Sequence, residues 1–274
     1  MDLSFLEAII LGLVQGLTEF LPVSSTGHLV VASYFLELRA SLQGVFEIFI
    51  QSGAVVAVIL YYWPDLWRQA RTIRHDKNVQ QLWRGIIIAF IPAAATGFLL
   101  EEAINDLLFT PVVVAIALIA GGILFIIVER YVVPQMDKEA QVQDIERVTT
   151  RQAVTIGIWQ VFALIPGTSR SGMSILGGMI SGLDRKVATQ FSFYLALPTL
   201  GGATIYKFLT SLDQISGSDM VLLILGAVIS GIVAGASIAW LLRYVARNNF
   251  IPFGVYRIIV GVIILVLMAS GIGG

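Results

Sequence analysis

Two short polar segments, each set between apolar runs, hold the residues of this chain that can do chemistry. The first runs from Gln15 to His28 and reads QGLTEFLPVSSTGH, and the second runs from Pro166 to Gly172 and reads PGTSRSG. The runs beside the first segment, AIILGL and LVVASYF, have the apolar character of membrane helices. Because polar side chains at membrane depth cost free energy unless they are used, we expect the two segments to form a functional site.

The second segment predicts an anion site. Arg170 supplies a fixed cation beside small and hydroxylated residues at a predicted helix start. Free backbone N–H groups, the positive end of the helix dipole and a guanidinium fork are the groups that bind a phosphate. We therefore assign phosphate binding to a set of five residues: Thr26, Ser169, Arg170, Ser171 and Gly172.

The first segment predicts the other groups of a phosphoryl-transfer site. Ser25 is a candidate nucleophile, His28 a candidate base or alternative nucleophile, and Glu19 a candidate carboxylate. The sequence leaves the choice between Ser25 and His28 open. With Arg170, these three residues make up the predicted catalytic set.

Structural roles compete with these assignments. A lone histidine such as His28 also suits a packing role, and an arginine in a membrane hairpin needs an anion. For Arg170 that anion is Glu19, Glu47 or a substrate phosphate. Glu47 and Gln51 are spaced i, i+4 and share one helix face, where they suit either an interhelical hydrogen bond or a supporting role at the site.

The composition places the chain in a membrane. Of its 274 residues 57% are hydrophobic and 13% charged, and the mean hydropathy is +0.86, far from the soluble average of about 25% charged residues. The net charge of −1 argues against a nucleic-acid partner. The absence of cysteine excludes thiol catalysis and disulfides, and the first residues lack the features of a removable signal peptide.

The apolar runs predict an all-α polytopic membrane protein with six transmembrane helices and two re-entrant helical hairpins. The first apolar run ends at Gln15, short of the about 20 residues that span a bilayer, so we expect two short helices that fold back at the PVSST turn. The predicted hairpins cover 4–37 and 151–183, and the predicted spans cover 44–63, 85–101, 111–131, 187–208, 219–243 and 252–271.

The chain repeats itself across a polar linker at 132–150. At a constant shift, Gly12 corresponds to Gly157, Gln15 to Gln160 and Ser24 to Ser169. Each half has three predicted crossings, so 1–131 and 151–274 form an inverted-topology repeat, whose sites usually lie where the broken elements meet. A basic loop at 64–84 belongs in the cytoplasm by the positive-inside rule, which places both termini in the periplasm.

These motifs resemble the two signatures of the bacterial undecaprenyl-pyrophosphate phosphatase family associated with bacitracin resistance. Gln15 and Glu19 fit its Glu/Gln-x-x-x-Glu motif, and Pro166 to Gly172 fit its Pro-Gly-x-Ser-Arg-Ser-x pattern. The similarity extends to 46–51 and to 251–257, so it covers nearly the whole chain.

The resemblance implies an enzyme that hydrolyses undecaprenyl pyrophosphate to the monophosphate carrier lipid of cell-wall synthesis, in the bacterial inner membrane, with a site open to the periplasm. It implies a divalent cation, Mg²⁺ or Ca²⁺, for which Glu19 is the main candidate ligand and Gln15 the second. The expected partners are the lipid substrate and the bilayer, and the 26 glycines predict a homodimer.

A second class of function fits the inverted repeat equally well: a transporter or flippase of a lipid-linked or small anionic substrate. Transport does not require a nucleophile and a base beside the anion site, which favours the enzyme. A structural membrane subunit is the third hypothesis, and it leaves the intramembrane Arg170 and Glu19 without a purpose.

Overall fold

The computed structural model describes residues 4–35, 40–136, 141–211 and 217–270, and every regular element in these ranges is helical. The α-helices are α1 Phe5–Thr18, α2 Ser25–Phe35, α3 Ala40–Tyr61, α4 Trp63–Thr72, α5 Lys77–Leu108, α6 Pro111–Ile127, α7 Thr150–Val161, α8 Arg170–Ile180, α9 Arg185–Ser211, α10 Gly217–Val245 and α11 Ile251–Ala269. The predicted all-α membrane fold is confirmed. The predicted ends of the first hairpin at 37 and of the last span at 271 lie outside the described residues.

Four helical stretches are long and apolar enough to cross a membrane: Lys77–Leu100, Pro111–Gln135, Met220–Val245 and Ile251–Ala269. A fifth crossing follows if the bent pair Phe46–Tyr61 and Trp63–Thr72 counts as one span. The sixth predicted crossing, α9, is not among them, because polar residues interrupt its apolar surface. The chain is therefore a multi-pass membrane protein, and the count of six spans stays a prediction.

Both predicted hairpins are broken near the expected residues. In the first, α1 has 14 residues and α2 has 11, so at about 1.5 Å per residue neither can cross a core of about 30 Å. Ser4 and Thr149 begin α1 and α7 with the same reciprocal capping box. The breaks lie between Thr18 and Ser25 and between Val161 and Arg170, so α2 and α8 begin within the predicted PVSST and PGTSRSG turns.

The two breaks share an unusual backbone conformation. Ser24 and Ser169 have φ of 72° and 76°, in the left-handed region that non-glycine residues rarely adopt. Each side chain accepts a hydrogen bond from the backbone N–H three residues on, at 3.3 Å from Gly27 and 3.1 Å from Gly172. The residues that correspond between the two halves of the sequence therefore adopt the same strained cap.

Much of the segment 64–84, predicted as a cytoplasmic loop, is helical. Pro64 lies in the first turn of α4, which is turned 69° from α3 and carries much of the basic charge. Asp76 caps α5 by accepting from the N–H groups of Asn78 and Val79, at 2.9 and 3.4 Å, so α5 begins at Lys77 and not at 85. The linker 132–150 contains short 3₁₀ turns at Val133–Gln135 and Ile145–Arg147.

Small residues bring the long helices together. α1 and α3 both pack along α10, and α6 packs along α11. A Cβ on Gly12 would lie 2.7 Å from the carbonyl oxygen of Gly226, and a Cβ on Gly53 would clash with the carbonyl of Ala227. In lipid, where the hydrophobic effect does not drive helix association, such close backbone approach supplies the packing energy.

The most extensive helix contacts cross between the halves of the sequence. α1 of the first half packs on α10 of the second, and α7 of the second half packs on α5 of the first. α3 also packs on α9. As a result, the breaks of the two hairpins meet in the interior.

Candidate active site

Glu19 is the centre of the site. It lies in the turn after α1 and is 6% exposed. Its Oε1 accepts a hydrogen bond from Nη2 of Arg170 at 3.0 Å, while its Oε2 accepts from Gln15 Nε2 at 2.8 Å and from Ser25 Oγ at 2.9 Å. One carboxylate therefore joins the two hairpins.

Arg170 begins α8 and reaches across to the first hairpin. Its side chain is 13% exposed and pairs with Glu19, which was one of the two carboxylates expected for it. Nη1 donates to the backbone oxygen of Ser192 at 3.0 Å, and the guanidinium lies 5.8 Å from the ring centre of Phe20. Nε is buried and has no partner. One donor of the cation is therefore left for a ligand.

Ser25 and His28 do not form a pair. The Ser25 hydroxyl donates to Glu19, whereas the Nδ1 and Nε2 atoms of His28 lie 2.8 Å from the Ser24 carbonyl oxygen and 2.6 Å from Tyr256 Oη. Because a carbonyl only accepts, Nδ1 carries the proton and Nε2 accepts from Tyr256. The Ser25 hydroxyl is therefore hydrogen-bonded to Glu19 and not to His28.

The hydroxyls of the second segment hold the two breaks together. Ser171 is fully buried and donates to the carbonyl oxygen of Leu21 at 3.1 Å. Ser169, whose Oγ lies 3.0 Å from that of Ser171, therefore donates to Ser171 and also caps α8 at Gly172. In this arrangement both hydroxyls are used within the protein, and the phosphate-binding role assigned to them from sequence stays a prediction.

The other predicted residues lie at different distances from this centre. Gln15 is fully buried beside Glu19, and its Oε1 has no partner. Thr26 is half-buried at the start of α2. Glu47 and Gln51 are half-buried on α3, and among the described residues no hydrogen bond joins them to Glu19, Ser25 or Arg170. The supporting role of Glu47 and Gln51 stays a prediction.

Arg257 on α11 was not assigned a role from the sequence, although an arginine inside a predicted span is itself a signal. It is fully buried and donates to four carbonyl oxygens. Two belong to the breaks, Pro22 at 3.1 Å and Gly167 at 3.0 Å, and two to α6, at Ala117 and Leu118. The Arg257 guanidinium therefore connects both breaks to α6 and α11.

A cavity of about 600 Å³ adjoins Arg170. It lies between α5, the end of α7 and α9, and its wall is mostly apolar. Its polar groups include Arg170, Gln160 and Thr199, while Phe98 and Tyr206 line its exposed end. An anionic head beside Arg170 and an apolar chain along the wall would fit this shape.

Residues 8–263 match the family described as bacitracin resistance protein BacA. The chain belongs to this family. An undecaprenyl-diphosphatase of Deinococcus radiodurans is 46% identical over 274 residues, which cover 98% of this chain and 97% of that protein. An undecaprenyl-diphosphatase of a Polaromonas species is 44% identical over 273 residues, covering 99% and 98%.

The match to the BacA family includes both polar segments and nearly the whole chain. The resemblance noted from the motifs alone is therefore confirmed. Arg257 and the glycines of the α6 and α11 contact also lie within the matched residues.

Proposed function

We propose that this chain is an undecaprenyl-pyrophosphate phosphatase, which releases inorganic phosphate and returns undecaprenyl phosphate to cell-wall synthesis. The observation that carries the proposal is the Glu19 carboxylate, which holds both the Ser25 hydroxyl and the Arg170 guanidinium. A nucleophile, a base and a cation thus meet in the membrane interior. Transport alone does not require this combination. The family's description as a bacitracin resistance protein accords with this activity.

Arg170 would bind the pyrophosphate through its free Nε. Its other donors are held by Glu19 and by Ser192, so the guanidinium keeps a fixed orientation before substrate arrives. Such preorganised positive charge supplies most of the catalysis in phosphoryl transfer.

Ser25 would attack the terminal phosphorus while Glu19 accepts its proton. A new bond forms between Ser25 Oγ and phosphorus, and the bridging P–O bond breaks, with its electrons leaving on undecaprenyl phosphate. Water then attacks the phosphoserine, regenerates the hydroxyl and releases inorganic phosphate. The 2.9 Å bond from Ser25 to Glu19 is within the reach that a general base needs.

A divalent cation would fit beside Glu19 and Gln15. Among the described residues no group of three or more His, Cys, Asp or Glu side chains could hold a metal alone. The unpartnered Oε1 of Gln15 next to the Glu19 carboxylate nevertheless offers two kinds of oxygen ligand. Mg²⁺ is commonly held by one or two carboxylates together with substrate phosphates. When bound, the cation would neutralise charge on the pyrophosphate.

The orientation predicted from the basic residues would open the site to the periplasm of the inner membrane. Phe98 and Tyr206, at the exposed end of the cavity, lie toward the C-terminal ends of α5 and α9, which face the periplasm in that orientation. The exchanged pairings of α1 with α10 and of α7 with α5 support the inverted repeat from which the orientation follows.

The test is phosphate release by the purified protein in detergent from undecaprenyl pyrophosphate, with and without a chelator. We expect release that requires a divalent cation. The same protein in vesicles, given labelled lipid on one leaflet, separates the alternatives. Lipid movement without any phosphate release would overturn the phosphatase and favour the transporter.

A further inference from the structure

Gln160 on α7 has an amide that the protein leaves unused. The residue is 1% exposed, yet neither Nε2 nor Oε1 of its side chain has a hydrogen-bond partner among the described residues. Burying an unpaired amide costs stability, and native proteins satisfy the large majority of such groups. Two unpartnered polar atoms on one buried side chain therefore indicate a ligand-binding residue.

The corresponding residue of the first hairpin shows what Gln160 lacks. Gln15 donates from Nε2 to Glu19, four residues on. Four residues after Gln160 the chain has Leu164, which offers no acceptor in its side chain. Gln160 is thus buried like Gln15, but it lacks a carboxylate four residues on that could accept its hydrogen bond.

The surroundings define the missing acceptor. Gln160 and Arg170 line the same cavity, and the Nε of Arg170 is unpartnered as well. The walls beside them are largely apolar, with Phe90, Leu164 and Pro198 among the lining residues. Both sets of unpartnered N–H groups are buried in residues that border this apolar cavity, so a small movement of the two side chains would offer them to an anionic head with several acceptor oxygens, joined to an apolar chain.

We propose that Gln160 is a substrate-binding residue, whose Nε2 donates to a phosphate oxygen of the lipid pyrophosphate while Arg170 Nε donates to another. The first isoprenoid units lie along the apolar wall between α5 and α9. This inference rests on the proposed phosphatase function. It assigns binding of the head group to the second hairpin and leaves nucleophile and base on the first.

The test compares two buried glutamines in the full-length protein. Gln160→Leu removes an unpaired amide, so its Tm should equal or exceed that of the wild type, while KM for undecaprenyl pyrophosphate rises by roughly tenfold and kcat changes less. Gln69→Leu is the matched control. Gln69 is also 1% exposed, but its amide is fully used by Tyr194 and Trp83. This control should lower Tm and leave KM unchanged.

A charge variant and a binding measurement complete the design. Gln160→Glu places a carboxylate against the phosphate and should raise KM further than Gln160→Leu. The rise in Tm produced by added undecaprenyl pyrophosphate reports binding without turnover, and it should be smaller for Gln160→Leu than for the wild type. An unchanged KM and an unchanged lipid-induced rise in Tm would overturn the proposal. Absence of phosphate release by the wild type would instead refute the phosphatase, and the Tm measurement would still test Gln160.

Discussion

Side chains from three helices donate hydrogen bonds to the Glu19 carboxylate. Gln15 and Ser25 approach one carboxylate oxygen from the first hairpin, and Arg170 approaches the other from the second. The left-handed φ of Ser24 turns the chain just before Ser25. Backbone strain of this kind costs about 1–3 kcal/mol and concentrates at functional positions. The strain at Ser24 is consistent with a functional role for Ser25 and not with a packing role alone.

The pairing of His28 with Tyr256 predicts that His28 is not the general base. Loss of a general base typically lowers the rate by about 10²–10⁴-fold. We expect that loss for Glu19→Gln, and a loss of less than about tenfold for His28→Gln, because His28 is held by Ser24 and Tyr256. Phosphate release by the two purified variants is the measurement. A larger loss for His28→Gln than for Glu19→Gln would restore the histidine to the reaction.

Substitution of Arg257 should destabilise the fold as well as lower the activity. Arg257→Met leaves buried carbonyls at both breaks unpaired, at a cost of about 1–3 kcal/mol each. A Cβ on Gly121 would clash with the Arg257 guanidinium, so Gly121→Ala should perturb the same contacts while keeping the charge. Both variants should lower Tm and phosphate release together.

The control for this comparison is Arg243→Met, which removes an exposed arginine near the end of α10. Its Tm should stay near that of the wild type. Wild-type Tm and turnover in both Arg257→Met and Gly121→Ala would show that the four carbonyl contacts are dispensable.

Among the helix contacts, that of α3 with α10 leaves no room for a side chain at Gly53. Gly53→Ala forces a methyl group against the carbonyl of Ala227, and overpacking of this kind costs about 1–3 kcal/mol. Gly235→Ala, on α10 itself, is the matched control because nothing lies within 4 Å of the added Cβ. Thermal unfolding in detergent should separate the two variants, and equal Tm values would refute the predicted limit.

The sequence located the helix breaks because their signals are local. Pro22 and the PGTSRSG segment interrupt apolar runs too short to span a bilayer, and the structure breaks both hairpins there. The partners of Arg257 could not be predicted, since the four carbonyls come from three places far apart in the chain. The helix α4 was missed because its charged residues are typical of a loop as well as of an amphipathic surface helix.

The roles of individual hydroxyls were also beyond the sequence. Ser25 and Ser171 both lie in Ser-rich segments, yet one faces Glu19 and the other donates to the backbone of Leu21. Composition predicts that such a segment is polar, but only the packing of one hairpin on the other decides which hydroxyl remains available.

For the whole molecule, the homodimer expected from the glycine content stays a prediction. The many glycines suggested surfaces for a second copy, but Gly12, Gly53 and Gly226 are covered by helices of the same chain. Gly122 and Gly254 likewise face each other between α6 and α11. These five glycines thus serve contacts within one chain, whereas Gly202 and Gly235 have no heavy atom of the described residues within 4 Å of an added Cβ.

The orientation of the whole chain is testable with introduced cysteines, because the natural sequence has none. Exposed sites are available on α4 at Arg71, between α10 and α11 at Asn249, and near the C-terminus at Ser270. In intact cells a membrane-impermeant maleimide should label Ser270→Cys and should leave Arg71→Cys and Asn249→Cys unlabelled. The reverse pattern would invert the proposed topology.

Phosphate release by Ser25→Ala tests the central claim most directly, since the proposed reaction begins with the Ser25 hydroxyl. The kcat values of the variant and the wild type would be compared at saturating undecaprenyl pyrophosphate. A measurement of Tm would first establish that the two proteins are equally stable. We expect the variant to lose at least about 1,000-fold in kcat, as expected when a nucleophile is removed. Release by Ser25→Ala at the wild-type rate would contradict the assignment of the Glu19, Ser25 and Arg170 cluster as the catalytic centre.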